Sequence, residues 1–77
     1  MQNEHDGIVL SVDVPAVGLK AGDVGTIVHR SADGRAYEVE FVVLDGHTAA
    51  VATLESNDVR PVTRNEIAHA RTLAAAG

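Results

Sequence analysis

The sequence contains no cysteine and no tryptophan, and Tyr37 and Phe41 are its only tyrosine and phenylalanine. Without cysteine, neither a disulfide framework nor a thiolate metal site can supplement the core. A groove for proline-rich peptides is built from aromatic rings, which two core-facing aromatics cannot supply, and the same shortage argues against a platform for stacked bases. Lysine occurs once, as Lys20, and eleven acidic side chains face six basic ones, for a formal net charge of −5. Nucleic-acid affinity comes largely from phosphate neutralisation by Lys and Arg, so this balance counts against such a partner. Long apolar runs are missing too: none approaches the roughly 18–20 residues that span a bilayer. The opening MQNEHD has no basic n-region and no apolar h-region, and the expectation is a soluble cytoplasmic protein without a membrane partner. The 77 residues allow one domain. Such a chain buries only about 60–65% of its unfolded surface, so a partner subunit could contribute to its stability.

What is present is mostly β-branched and alternating. GIVLSVDV at 7–14 reads as a first strand ended by Pro15, and VGTIVHR at 24–30 as a second. SADGR at 31–35 follows as a hairpin loop with Gly34 at positive φ. YEVEF at 37–41 alternates apolar and acidic residues. Asp45-Gly46 then predicts a two-residue type I′ turn. That turn sets a register: Phe41 faces Ala50, Val39 faces Ala52 and Tyr37 faces Leu54, all apolar and all on one face. Residues 59–62 predict a short fifth strand. TRNE at 63–66 fits a capping box, with Val62 and Ile67 as its hydrophobic staple. The helix it would start runs to about residue 75, with Ile67, Ala70, Leu73 and Ala74 on one face. The expected fold is therefore mainly β: a small SH3-like five-stranded barrel over 1–62 with a C-terminal α-helix over 63–77, packed on the barrel or at a subunit interface.

No constellation reads as an active site. In GLKAGDVGTIV, Lys20 precedes the glycines that it would have to follow in a phosphate loop, and a β-branched strand comes next instead of a helix. Gly18 and Gly22 read as turn residues, Asp23 as a turn cap, and Gly25 as a residue that permits strand bending. His5, His29, His47 and His69 lack the close spacing of a metal site, although His5-Asp6 and Asp45-x-His47 are partial ligand sets. Glu38 and Glu40 share one side of a strand, roughly 7 Å apart. Paired carboxylates can hydrolyse glycosides, but a small barrel without sugar platforms offers that substrate no cleft. Ser11, Ser31 and Ser56 have no nucleophile motif around them. The expectation is a protein with no catalytic residues, no cofactor and no metal.

One feature is anomalous. On the outward face of the third and fourth strands the register sets Leu44 beside His47, Val42 beside Ala49 and Glu40 beside Val51. An outer face should be polar, yet Val42, Leu44, Ala49 and Val51 cluster there. These four, with Ile67 and Leu73 of the expected helix, form the candidate interface for a homo-oligomer or a protein partner; Gly18, Gly22, Gly25, Asp45 and Gly46 are structural turn positions.

The segments GLKAGDVGTIVH, AYEVEF and DGHTAAVATLESNDVRPV together closely resemble an uncharacterised bacterial family, domain of unknown function 4926, over about 7–62. The resemblance implies an SH3-like barrel and carries no catalytic residues. More distantly, GD-x-G-T-V and Y-x-V-x-F are similar to the barrel domain of the nitrile hydratase β subunit and its small accessory proteins, which implies an assembly or accessory role. G-x-x-G-x-V is also similar to the glycine-rich KOW-type motif of ribosomal and transcription-factor barrels. That likeness gives the alternative, a nucleic-acid-binding barrel using Lys20, Arg30, Arg35 and Arg60. The leading expectation is a non-enzymatic interaction or accessory module.

Overall fold

The alternation of Tyr37-Glu38-Val39-Glu40-Phe41 sends every second side chain inward, and the computed structural model, which describes residues 4–73, places all three apolar members in the core. Five strands form: β1 (Gly7–Leu10), β2 (Val24–Arg30), β3 (Ala36–Val42), β4 (Thr48–Glu55) and β5 (Val59–Pro61). They make a single antiparallel sheet in the order β4-β3-β2-β1-β5. Two short 3-10 turns, Pro15–Val17 and Ser56–Asp58, complete the regular structure.

Ile8, Leu10, Ile27, Tyr37, Val39, Phe41, Ala52, Leu54 and Val59 form one buried cluster, and Leu19 joins it from the β1–β2 connection. With no second layer among the described residues, a single sheet can bury such a cluster only by curling its inner face around it. Val9 is also buried but lies outside this cluster, on the opposite face of β1.

The β3–β4 register has Phe41 opposite Ala50, Val39 opposite Ala52 and Tyr37 opposite Leu54, as the alternation predicts. Past Phe41 the ladder slips, and Val42 faces Thr48 instead of Ala49. The cause is the turn. Gly46 has φ +96° and donates its amide to Val43 O at 2.9 Å, while Asp45 stays out of the positive-φ region that a type I′ turn requires of it. Asp45 instead accepts the His47 amide on Oδ1 at 3.0 Å. The loop is longer than two residues and ends in one left-handed glycine, so Leu44 sits at the tip and does not pair with His47.

Two larger expectations are corrected. The sheet stays open: β4 and β5 are its two edges, and no pairing joins them among the described residues, so the SH3-like barrel does not close. The C-terminal α-helix does not form either; residues 62–73 run as a strap with one turn near Arg64 and Asn65. Part of the capping box exists. Thr63 N–H donates to Glu66 Oε1 at 2.8 Å, and Glu66 N–H to Thr63 O at 3.2 Å. The Thr63 hydroxyl, however, donates to Glu66 and Asn65 and does not accept an amide proton. A helix of about twelve residues is marginal unless one face packs, and Ile67 and Ala70 of that face are exposed. Ala74, its last member, lies outside the described residues. The first strand also stops at Leu10, four residues short of expectation.

Candidate functional site

The GLKAGDVGTIV corner is closed by its own side chains. Asp23 Oδ2 accepts the Lys20 amide at 2.8 Å, Asp13 Oδ1 accepts the Ala21 amide at 2.8 Å, and the Gly22 amide donates to Leu10 O at 2.8 Å. Amides that a phosphate would need are thus already occupied, two of them by carboxylates. Gly18 and Gly22 have φ of +74° and +96°. Gly25 has an ordinary φ, and its reason for being glycine is packing: a Cβ there would lie 2.6 Å from Val39 Cγ1 and 2.7 Å from the Phe41 ring.

Arg71 grips this corner. Its Nε donates to Asp23 Oδ1 at 2.8 Å and its Nη2 to Gly18 O at 3.0 Å, with a further contact to Asp23 Oδ2. The Arg71 guanidinium holds the Asp23 carboxyl below the usual carboxylate range. At the other end of the strap, Arg60 binds Glu66 through two parallel bonds of 2.8 and 2.7 Å. With the Thr63 amide and hydroxyl added, Glu66 is pushed down to about 2. Asp33 and Asp45 are lowered as well, through Ser31 with the Arg35 amide and through His47 respectively. These shifts keep each carboxylate ionised, the opposite of what a general acid near neutral pH needs.

Pinned at both ends, the strap crosses the outer face of the sheet and leaves a groove of about 730 Å³ between itself and β2, β3 and β1. Val9, Val24, Val42 and Ala49 line its floor, with Ile67 and Leu73 on the strap side. Leu73 is partly buried there, whereas Ile67 is 93% exposed. The groove leaves outer-face side chains open to solvent: Val42 on its floor is 54% exposed, and Val51, next to the groove, is 57% exposed. Glu40 faces Val51 across the ladder, so Val42 and Val51 are diagonal neighbours. Leu44, 95% exposed at the loop tip, lines the same groove, and Ala49 sits at the register slip.

The remaining candidates do not converge. Glu38 pairs with His29 and Thr53, and Glu40 accepts a bond of 2.6 Å from the Thr48 hydroxyl. His47 meets Asp45 at 2.9 Å in solvent, and among the described residues no three metal-ligating side chains come together. Of the candidate phosphate contacts, Arg60 is committed to Glu66, and Arg35 lies 4.0 Å from Asp33. Sequence reasoning missed the Arg71–Asp23 pair. The two residues are 48 positions apart, and no local pattern links them.

Among the described residues no helix is long and apolar enough to cross a membrane. No curated protein and no solved structure matches the chain. Residues 4–61, well over half of the sequence and all five strands, match the family described as Domain of unknown function (DUF4926), and the chain belongs to that family.

Proposed function

We propose that this protein is a non-enzymatic interaction module that self-associates through the outer face of its β3–β4 hairpin. The observation that carries the reading is the exposure of Val42 and Val51, 54% and 57%, as neighbours on a face that the strap crosses without covering. Adjacent apolar side chains left in water favour burial, at roughly 25 cal/mol per Å² removed. The second copy is the occupant that a small core favours, since each copy then extends the other's buried surface. An accessory role in a bacterial enzyme assembly, which the likeness to nitrile hydratase accessory proteins suggests, would use the same face.

Light scattering on a size-exclusion column, run over a hundredfold dilution, tests this. The expected result is a dimer that dissociates on dilution, and a monomer at the same concentrations for Val42→Glu and for Val51→Glu, each with an unchanged far-ultraviolet spectrum. A wild-type monomer throughout, or dimers that tolerate both glutamates, would remove the proposal.

A further inference from the structure

Residues 62–72 of the strap are exposed and Leu73 is half-buried, so apolar packing does little to hold the segment down. Backbone bonding does less: apart from the Glu66 amide, residues 64–73 make no backbone-to-backbone hydrogen bond among the described residues. Two arginine–carboxylate pairs are left. Arg60 and Glu66 lie 6 positions apart, so their pair closes only a local loop. Arg71 and Asp23 are 48 positions apart, and their contact is what brings the rest of the strap onto the sheet.

The acceptors that Arg71 meets are set up without it. Asp23 takes the Lys20 amide on Oδ2 and donates its own amide to Lys20 O at 3.0 Å, which fixes the carboxylate. Gly18, left-handed at φ +74°, donates its amide to Pro15 O at 3.1 Å, and that turn sets the direction of its carbonyl. With Arg71 in place the Asp23 side chain is 18% exposed. A planar guanidinium meets both carboxylate oxygens and the neighbouring carbonyl at once, whereas a lysine ammonium offers no such fork. Two residues on, Leu73 enters the groove floored by Val9 and Val24. All of these acceptors and floor residues lie within 4–61, the span that matches the family, and the strap lies beyond it. The binding surface and its occupant are thus separate pieces of the sequence.

We infer that the Asp23–Gly18 corner is a recognition site for an extended segment of a protein partner, one carrying an arginine followed two residues later by an aliphatic side chain. Arg71 and Leu73 are its built-in occupant, and the strap keeps the site closed until another such segment replaces it. A net charge of −5 favours a basic segment at this carboxylate over an acidic one. The corner belongs to the β1–β2 connection and does not use Val51, so this site stands or falls independently of the self-association proposed above.

The test uses the full chain, its Arg71→Ala form and a synthetic peptide of residues 63–73, with the Lys20 amide resonance as reporter. That amide donates to Asp23 and senses the carboxylate directly. The Arg71→Ala chain should bind the peptide. The unsubstituted chain should bind it about tenfold or more weakly, because a short tether supplies its own arginine at an effective concentration in the millimolar range. Arg71→Gln, which keeps a polar side chain there, should behave as Arg71→Ala does. A peptide with Arg71→Lys should bind hardly at all, and one with Leu73→Ala several-fold more weakly than the original. Adding Asp23→Asn to the Arg71→Ala chain keeps an acceptor for the Lys20 amide but removes the charge, and should abolish binding. Equal affinity for the substituted and unsubstituted chains would show that Arg71 does not occupy the corner in solution. A peptide that binds as well with lysine, or that binds neither substituted chain, would show that the corner does not recognise arginine. Either result overturns the assignment.

Discussion

Gly25 is the residue whose side chain, or lack of one, most constrains the fold. It sits on the inner face of β2 directly beneath Val39 and Phe41, where a methyl group would need a space already filled to within 2.6 Å. Overpacking of this kind typically costs about 1–3 kcal/mol. Gly25→Ala should therefore lower the urea midpoint by a corresponding amount with little change in slope, and an unchanged midpoint would mean that Val39 and the Phe41 ring move aside freely. The sequence marks this position as special but supplies a different reason, strand bending, because close approach between distant side chains leaves no local pattern. Asp45-Gly46 teaches the same lesson. The pair does turn the chain, but an Asp that can accept a nearby amide serves a longer loop as well as a two-residue one. The choice removes the expected pairing of Leu44 with His47.

Along the elements, strands are legible wherever alternation has a partner that also alternates. Tyr37, Val39 and Phe41 find Leu54, Ala52 and Ala50 in the expected register because both strands carry their apolar residues on one face. The strap fails that standard. Its capping residues and alanines speak for a helix, but Glu66 is drawn to Arg60 and Arg71 to Asp23, contacts that no local spacing reveals. Its anchoring should depend on pH. Glu66 is pushed down to about 2 from an ordinary 4.5, so its stabilising contribution is complete above that ordinary value. The contribution then declines as pH falls and is gone below about 2. Asp23, also lowered, contributes in the same direction. The Thr63 amide shift, followed by nuclear magnetic resonance, should titrate near the lower value, and Arg60→Ala should move its midpoint upward. A midpoint near 4.5 in the unsubstituted chain would show that Glu66 is not held this way.

For the whole molecule, composition and association pull against each other. Each copy carries a formal net charge of −5, so two copies repel at long range and added salt should strengthen the dimer by screening. Binding to nucleic acid would respond in the opposite sense. Association also couples to folding by mass action, so the thermal midpoint should rise with protein concentration for the unsubstituted chain and stay flat for Val51→Glu. A flat wild-type midpoint would argue that the folded chain needs no second copy. The placement of Tyr37 makes these measurements simple. It is the molecule's one tyrosine, it is 3% exposed, and no tryptophan competes with it. Intrinsic fluorescence therefore comes from a single ring inside the core. One optical signal, with no added label, follows the packing of β3 against β4 from the native state to the denatured one.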